Sequence, residues 1–305
     1  MPTSTLLDID LYLKEKTDWI DKQIFRFMPA SDSPAIGRLI ESVNYSLRAG
    51  GKRIRPILML ATAECFGDST EHLLPAMAAV EMIHTYSLIH DDLPSMDNDD
   101  LRRGQPTNHK KYGEATAILA GDALMTYAYE VVVRYTDRTR VNPRIVLQVV
   151  QELGQATGVF GMVGGQMMDL YYEKHTMPNA AELVREIHQR KTGALIRAAV
   201  RIGAVLMQCT QIQLDQLTIY ANHLGLAFQI VDDILDVECT PEELGKSTGS
   251  DEARAKLTYP AVYGLEPAKS LARDQGKLAL AALDQFNGHV DTLRVLTEHI
   301  VARRK

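Results

Sequence analysis

The chain has 305 residues, a formal net charge of −6, 46% hydrophobic and 24% charged residues, an ordinary globular balance with no general basic footprint, so nucleic acid is not expected as a partner. Its three cysteines, Cys65, Cys209 and Cys239, are far apart and without a CxxC spacing, which reads as reduced buried thiols in a cytoplasmic protein rather than a disulfide or zinc framework. Met1 to Asp10 lacks the basic-then-apolar pattern of a signal peptide, and no uncharged apolar run approaches the roughly 20 residues that span a bilayer, so neither secretion nor a membrane span is expected.

From the N-terminus onward the chain reads as helix after helix. Segments rich in Ala, Leu, Glu, Gln and Met, all good helix formers, are bounded by prolines such as Pro34, Pro75, Pro94, Pro143 and Pro260. No run of alternating apolar and polar residues marks a half-buried strand. The expected helices are 5–28, 34–49, 54–66, 71–93, 112–136, 143–174, 179–207, 211–238, 264–286 and 290–303. Ser33-Pro34 and Asn142-Pro143 each put a capping residue before a first-turn proline. Segments 71–93 and 211–238 are apolar over much of their circumference, which predicts burial in the middle of a bundle. No period of 20–50 residues repeats and no linker is visible, so 1–305 is expected to be one all-α domain. The main polar interruption, 239–258, is placed like a lid or flap.

Two aspartate clusters interrupt this pattern: Asp91-Asp92-Leu93-Pro94-Ser95-Met96-Asp97 and Asp232-Asp233-Ile234-Leu235-Asp236. Each ends an apolar helical run, where adjacent carboxylates repel and resist ionising unless something neutralises them. Mg2+ relieves that cost, because it takes one or two carboxylates per site and shares its other positions with water and substrate phosphates. Asp232 and Asp236 are four apart, on one helix face with Cβ atoms about 6 Å apart. Asp91 and Asp97 would diverge on a straight helix. Pro94 cannot continue it, so the helix should end near Asp92 and the chain turn back to bring Asp97 beside Asp91.

Basic residues surround these clusters in the sequence. Gly50-Gly51-Lys52-Arg53-Ile54-Arg55-Pro56 is a glycine turn entering a helix, and a helix N-terminus favours an anion. His84 lies seven before Asp91, about two helical turns away. Arg102 and Arg103 follow the first cluster, where bidentate phosphate contacts are plausible. Lys191-Thr192-Gly193 interrupts a long helix, Gln229 lies three before Asp232, and Lys246 and Lys256 occupy the expected flap. Together these cations suit two diphosphates, one held through metal and one held directly.

These motifs, with Gly164-Gly165-Gln166 and Phe228-Gln229-Ile230-Val231-Asp232-Asp233-Ile234-Leu235-Asp236, resemble the all-trans short-chain isoprenyl diphosphate synthases over nearly the full chain. The resemblance implies an all-α bundle around a deep central cavity (the isoprenoid synthase type I fold), commonly a homodimer. It also implies three Mg2+ ions, with Mn2+ as a substitute, and head-to-tail condensation of isopentenyl diphosphate with an allylic diphosphate, dimethylallyl or geranyl. Carried over by position, Asp91, Asp97 and Asp232 are metal ligands supported by Asp92 and Asp236. Lys52, Arg55, His84 and Arg103 correspond to the isopentenyl diphosphate site. Arg102, Lys191, Lys246 and Lys256 correspond to allylic diphosphate contacts, while Thr192 and Gln229 offer oxygen dipoles to the allylic cation.

The growing product should run along the helix that carries Asp91. Tyr86, five before Asp91, is large, and Ser87, four before it, is small. An aromatic here, with two extra residues in the first motif, resembles the farnesyl-producing bacterial members of the family and implies a fifteen-carbon stop. A geranylgeranyl synthase is the alternative within the family, and a non-catalytic regulatory subunit of a prenyltransferase the remote one. A terpene cyclase would carry an Asn/Asp–Ser/Thr–Glu second motif and more aromatics than the 6% here.

Overall fold

The structure, a computed structural model, describes residues 7–67, 71–173, 178–239 and 256–303. Among them the chain forms α1 (Ile9–Ile24), α2 (Pro34–Arg48), α3 (Ile54–Glu64), α4 (Leu74–Asp91), a two-residue hairpin β1 (Leu101–Arg102) and β2 (Gln105–Pro106), α5 (Asn108–Tyr112) and α6 (Glu114–Tyr135). There follow α7 (Pro143–Thr157), α8 (Met162–Tyr172), α9 (Ala180–His188), a π-helical turn Gln189–Gly193, α10 (Ala194–Leu206), α11 (Gln211–Glu238), α12 (Tyr259–Tyr263), α13 (Leu265–Leu283) and α14 (Asp291–Ala302). The all-α class is as expected.

The core explains the arrangement. α4 buries residues on every side, from Leu74, Met77 and Val80 to Met82, Ile83, Tyr86 and Ile89. α10 is as deep as α4 and α11, with Ala194 to Leu206 almost wholly buried, a centrality its sequence did not advertise. A main apolar cluster joins α1–α4, α6, α7, α10, α11 and α14, and a smaller one packs Val184 and Tyr259 against the last turns of α11. At about 1.5–3 kcal/mol for each fully buried large apolar side chain, these clusters supply the main favourable term of folding.

Several expected helices are divided. The 143–174 segment breaks at Gly158–Gly161, where Gly158 turns extended and a Cβ on Gly161 would collide with the Ala156 carbonyl. The 179–207 segment holds, between α9 and α10, the π turn that carries Lys191 and Thr192. Of the two proline starts, Asn142 caps as expected by accepting from Arg144 N at 2.9 Å, whereas Ser33 makes no side-chain cap. By length and hydropathy alone α6 is long and apolar enough to cross a membrane, although no uncharged stretch within it approaches that length. It carries Asp122 and Glu130, and its Ala117, Ala120, Leu124 and Val131 face is packed into the core.

Candidate active site

The first aspartate cluster is shaped by a chain reversal. α4 ends at Asp91, and Asp97 N then donates to Asp91 O at 2.8 Å. Asn98, with φ 52, lets its own N–H return to Leu93 O at 3.0 Å. Asp91 and Asp97 thereby line one small cavity with Arg102, Lys191 and Lys256. Lys256 Nζ lies 3.2 Å from Asp97. Burial raises the Asp91 pKa, and neighbouring Asp97 adds to it. Burial likewise pushes Asp92 up to about 6, against the pull of Arg102. Among the described residues no three His, Cys, Asp or Glu side chains converge into a ready-made metal cage. Hard oxygen donors, costly to ionise and presented in ones and twos toward a cavity, fit Mg2+ shared with phosphate oxygens.

Adjacent arginines are sent to different places by the hairpin. Arg103 (φ 56) and Gly104 (φ 74) form its two-residue turn, and both need positive φ, as the tight turns that match strand twist do. Arg102 Nε donates to Asp92 Oδ1 at 3.0 Å, and Nη2 reaches Asp99 at 3.3 Å. Arg103 instead donates to the Gly50 carbonyl. A Cβ on Gly51 would lie 2.6 Å from the Arg103 guanidinium, so the glycine is what admits that side chain.

Lys52, Arg55, His84 and Arg103 line a second cavity of about 430 Å3, shared with Arg102, Phe228, Asp232 and Arg303. Burial and the charges of Arg55 and Arg103 hold His84 well below the usual histidine range, so it sits neutral among arginines. Arg53 is used differently: buried, it donates to Asp21 at 2.7 Å, Glu81 at 2.5 Å and Leu47 O at 2.6 Å, locking the glycine turn to α1 and α4.

Both basic sites meet in a central cavity of about 550 Å3 lined by Arg55, His84, Asp91, Arg102, Lys191, Thr192, Gln229 and Asp232. Its apolar wall includes Tyr86, Met162, Met167 and Phe228. Tyr86 is 4% exposed and packs edge-on to His90, with ring centroids 5.8 Å apart. Ser87 also lines this cavity and turns its hydroxyl back to His84 O.

The π turn delivers Lys191 and Thr192 to this space, a use for which such turns are frequent at functional sites. A Cβ on Gly165 of α8 would collide with Lys191 N, so that glycine lets α8 close on the turn. Lys191 Nζ donates to Asp169 at 2.6 Å. Burial works against the Lys191 ammonium, yet Asp169 and Asp91 outweigh it and raise its pKa. Burial likewise opposes ionisation of Asp169, but Lys191 and Lys256 prevail and lower its pKa, so both partners stay charged.

The second cluster opens differently. Asp232 faces the central cavity and pairs with Arg303, which also donates to Phe228 O at 3.0 Å. Asp236 is 4% exposed and lines none of the cavities described. Lys246 and most of the expected flap lie outside the described residues. The sequence pattern did not single out Asp169, Asp99 and His188 as neighbours of the site, whereas Arg303 belongs to a basic C-terminal tail that the family resemblance brings to the isopentenyl diphosphate pocket. For Asp169 the signal was present, a lone acid in the apolar run Met167-Met168-Asp169-Leu170-Tyr171.

A helical bundle with facing carboxylates and two basic pockets on one cavity defines a prenyl diphosphate-handling class. The family model described as polyprenyl synthetase matches residues 37–297, and the chain belongs to that family. It is 49% identical over 272 residues to a farnesyl diphosphate synthase of Micrococcus luteus, covering 89% of this chain and 91% of that protein. It is 41% identical over 302 residues to a geranylgeranyl diphosphate synthase of Cyanophora paradoxa, covering 99% of each. Among solved structures, an FPP/GFPP synthase of Zymomonas mobilis in its apo form superposes with a TM-score of 0.85 at 38% identity, over 97% of this chain and 99% of that one. A geranyltransferase of Helicobacter pylori complexed with magnesium and isoprenyl diphosphate superposes with a TM-score of 0.83 at 30% identity, over 98% of each.

Proposed function

We propose that this chain is a farnesyl diphosphate synthase, which joins isopentenyl diphosphate head-to-tail to dimethylallyl and then geranyl diphosphate. The observation that carries this reading is one cavity on which two aspartate clusters, two basic pockets and an apolar wall that includes Tyr86 all converge. Bound Mg2+, three ions with Asp91, Asp97 and Asp232 as ligands and Asp92 and Asp236 in support, would supply Lewis-acid stabilisation of the departing diphosphate, with Mn2+ as a substitute. Arg102, Lys191 and Lys256, with Lys246, hold the allylic diphosphate as its C–O bond ionises. Lys52, Arg55 and Arg103 hold the isopentenyl diphosphate in line, with neutral His84 donating one N–H. Thr192 and Gln229 turn oxygens toward the allylic cation. The double bond of isopentenyl diphosphate attacks that cation to form the new C–C bond, and a proton is then lost to the released diphosphate.

On this reading 1–305 is a single domain and the enzyme a cytoplasmic homodimer. Exposed apolar side chains on α6 and α8 and the turn between α7 and α8 (Leu119, Phe160 and Met167 among them) are what such a contact would cover.

The test incubates purified protein, Mg2+ and labelled isopentenyl diphosphate with dimethylallyl, geranyl or farnesyl diphosphate, and separates the dephosphorylated alcohols by length. A dominant fifteen-carbon alcohol, with farnesyl diphosphate a poor primer, is expected. A twenty-carbon product would place the floor deeper than Tyr86 and favour the geranylgeranyl alternative, and no product at all would overturn the enzyme reading. Tyr86→Ala should lengthen the product, and an unchanged distribution would show that another side chain sets the stop.

A further inference from the structure

Asp233 follows Asp232 directly and is 3% exposed, in the wall between the central cavity and the small cavity of Asp91 and Asp97. Its Oδ2 accepts from Tyr259 N at 2.9 Å, and His188 Nε2 lies 3.6 Å from the same oxygen. Its Oδ1 accepts from Gln229 Nε2 at 2.9 Å. At its other end, Gln229 Oε1 accepts from the Thr192 hydroxyl at 2.6 Å. Both Asp233 oxygens are thus occupied as acceptors, so Asp233 pairs with the N–H2 end of the Gln229 amide and not with the other. The amide oxygen is thereby turned toward Thr192 and the central cavity, which Thr192 and Gln229 both line. With the Thr192 proton committed to Gln229, the remaining lone pairs of both oxygens are free to face that cavity.

We infer that Asp233 is a positioning residue rather than a metal ligand: it fixes the orientation of the Gln229 amide, so that oxygens and not N–H groups face the site of the allylic cation. The inference rests on the proposed condensation, in which that cation forms. Tyr259 N anchors the other carboxylate oxygen, so Asp233 cannot swing away from Gln229 without giving up a backbone partner.

Asp233→Asn discriminates. Tyr259 N still needs an acceptor and takes the Asn oxygen, which leaves the Asn N–H2 facing Gln229. The Gln229 amide must then turn over and present N–H toward Thr192 and the cavity. The turnover number kcat should fall by about 10²-fold, as for a single misplaced dipole at a developing charge. KM for both diphosphates should stay within about twofold, and calorimetric binding of Mg2+ with inorganic diphosphate should match the wild type, since KM and metal affinity do not depend on cation stabilisation. Placed in a Gln229→Ala background, Asp233→Asn should cost almost nothing more, because the residue acts through that amide. An equal loss in both backgrounds would overturn the inference and leave Asp233 as a strut for α12. Weakened Mg2+–diphosphate binding would overturn it in favour of a metal ligand. A wild type that makes no product in the same assay would overturn the condensation itself, a result distinguishable from either.

Discussion

At the end of α4, Asp91 and Asp97 share one small cavity with Arg102, Lys191 and Lys256. On α11, Asp232 faces the central cavity with Arg303 upon it, Asp233 lines both cavities but is tied to Tyr259 N and Gln229, and Asp236 is buried. Two motifs of similar composition thus use their acids differently, and backbone geometry is the reason. The Pro94 reversal folds a six-residue spacing onto itself, whereas an unbroken helix spreads neighbouring residues around its axis and along its length. The counter-charges differ as well. Those of the first cluster come from the hairpin, the π turn and the segment before α12, and that of the second comes from the end of α14. The first cluster is a preassembled anion-and-cation site, and the second presents Asp232, held by a removable arm, beside an Asp233 tied to Tyr259 N and Gln229.

The sharpest way to break this contrast is to neutralise one acid in each cluster. Asp91→Asn and Asp232→Asn should each lower kcat by about 10³-fold or more, the scale for losing a principal electrostatic stabiliser. Their effects on the metal-free protein should differ. Burial disfavours the Asp91 carboxylate, so removing its charge should raise the thermal midpoint measured in chelator. The Asp232 side chain is 40% exposed and paired with Arg303, so removing its charge should leave the midpoint level or lower it. Midpoints that move together would show that the two clusters are electrostatically alike.

Acid titration compares the buried neighbours of the two clusters. Burial holds His188 down to about 4 and pushes Asp92 up to about 6. Between about 4 and 6.5 the unfolded chain protonates His188 and the folded protein does not, so this contribution is complete above pH 6.5 and is lost as pH falls. Asp92 works in the other direction. Between 3.8 and about 6 the folded protein binds its proton more readily, so falling pH relieves a cost. Each effect is on the order of 3 kcal/mol, and over pH 4 to 6 they largely cancel. His188→Gln removes one of them. Denaturant unfolding without Mg2+ should then show the variant gaining on the wild type by about 2–3 kcal/mol between pH 7 and pH 4.5. A constant difference would mean that His188 is not held neutral.

Much of this layout is legible in the sequence, for identifiable reasons. Pro94 within an acidic run predicts the reversal, because proline cannot continue a helix and the acids cannot stay exposed to one another without a partner. Apolar runs on both sides of α4 and α11 predict their central place. Less legible were features that depend on what lies across the bundle. Lys191-Thr192-Gly193 reads as an interruption of a long helix, but that the interruption is a π turn closed on by Gly165 is revealed only by the packing. Asp232 and Asp233 are the same residue type one position apart, and only the 100° step of a helix gives one to Arg303 and the other to Tyr259 N and Gln229. Arg303 lies 71 residues from Asp232, beyond the reach of any local pattern.

Arg303 gives the smallest expected effect and the finest test of the removable arm. Its guanidinium stacks on Phe228, with the carbon 4.1 Å from the ring centroid, and donates to Phe228 O and Asp232. Its side chain is 8% exposed. It therefore occupies the place beside Asp232 that a bound cation would need, and Mg2+ arriving there must compete with a charge already tethered to the chain. Arg303→Met keeps apolar contact with Phe228 and removes that competitor. The Mg2+ concentration for half-maximal activity should fall about fivefold, a change of roughly 1 kcal/mol. The same substitution leaves the first cluster untouched, so Mg2+ binding measured in an Asp232→Asn background should not respond to it. If half-saturation rose instead, Arg303 would be a support for the bound diphosphate, and the second cluster would be as preassembled as the first.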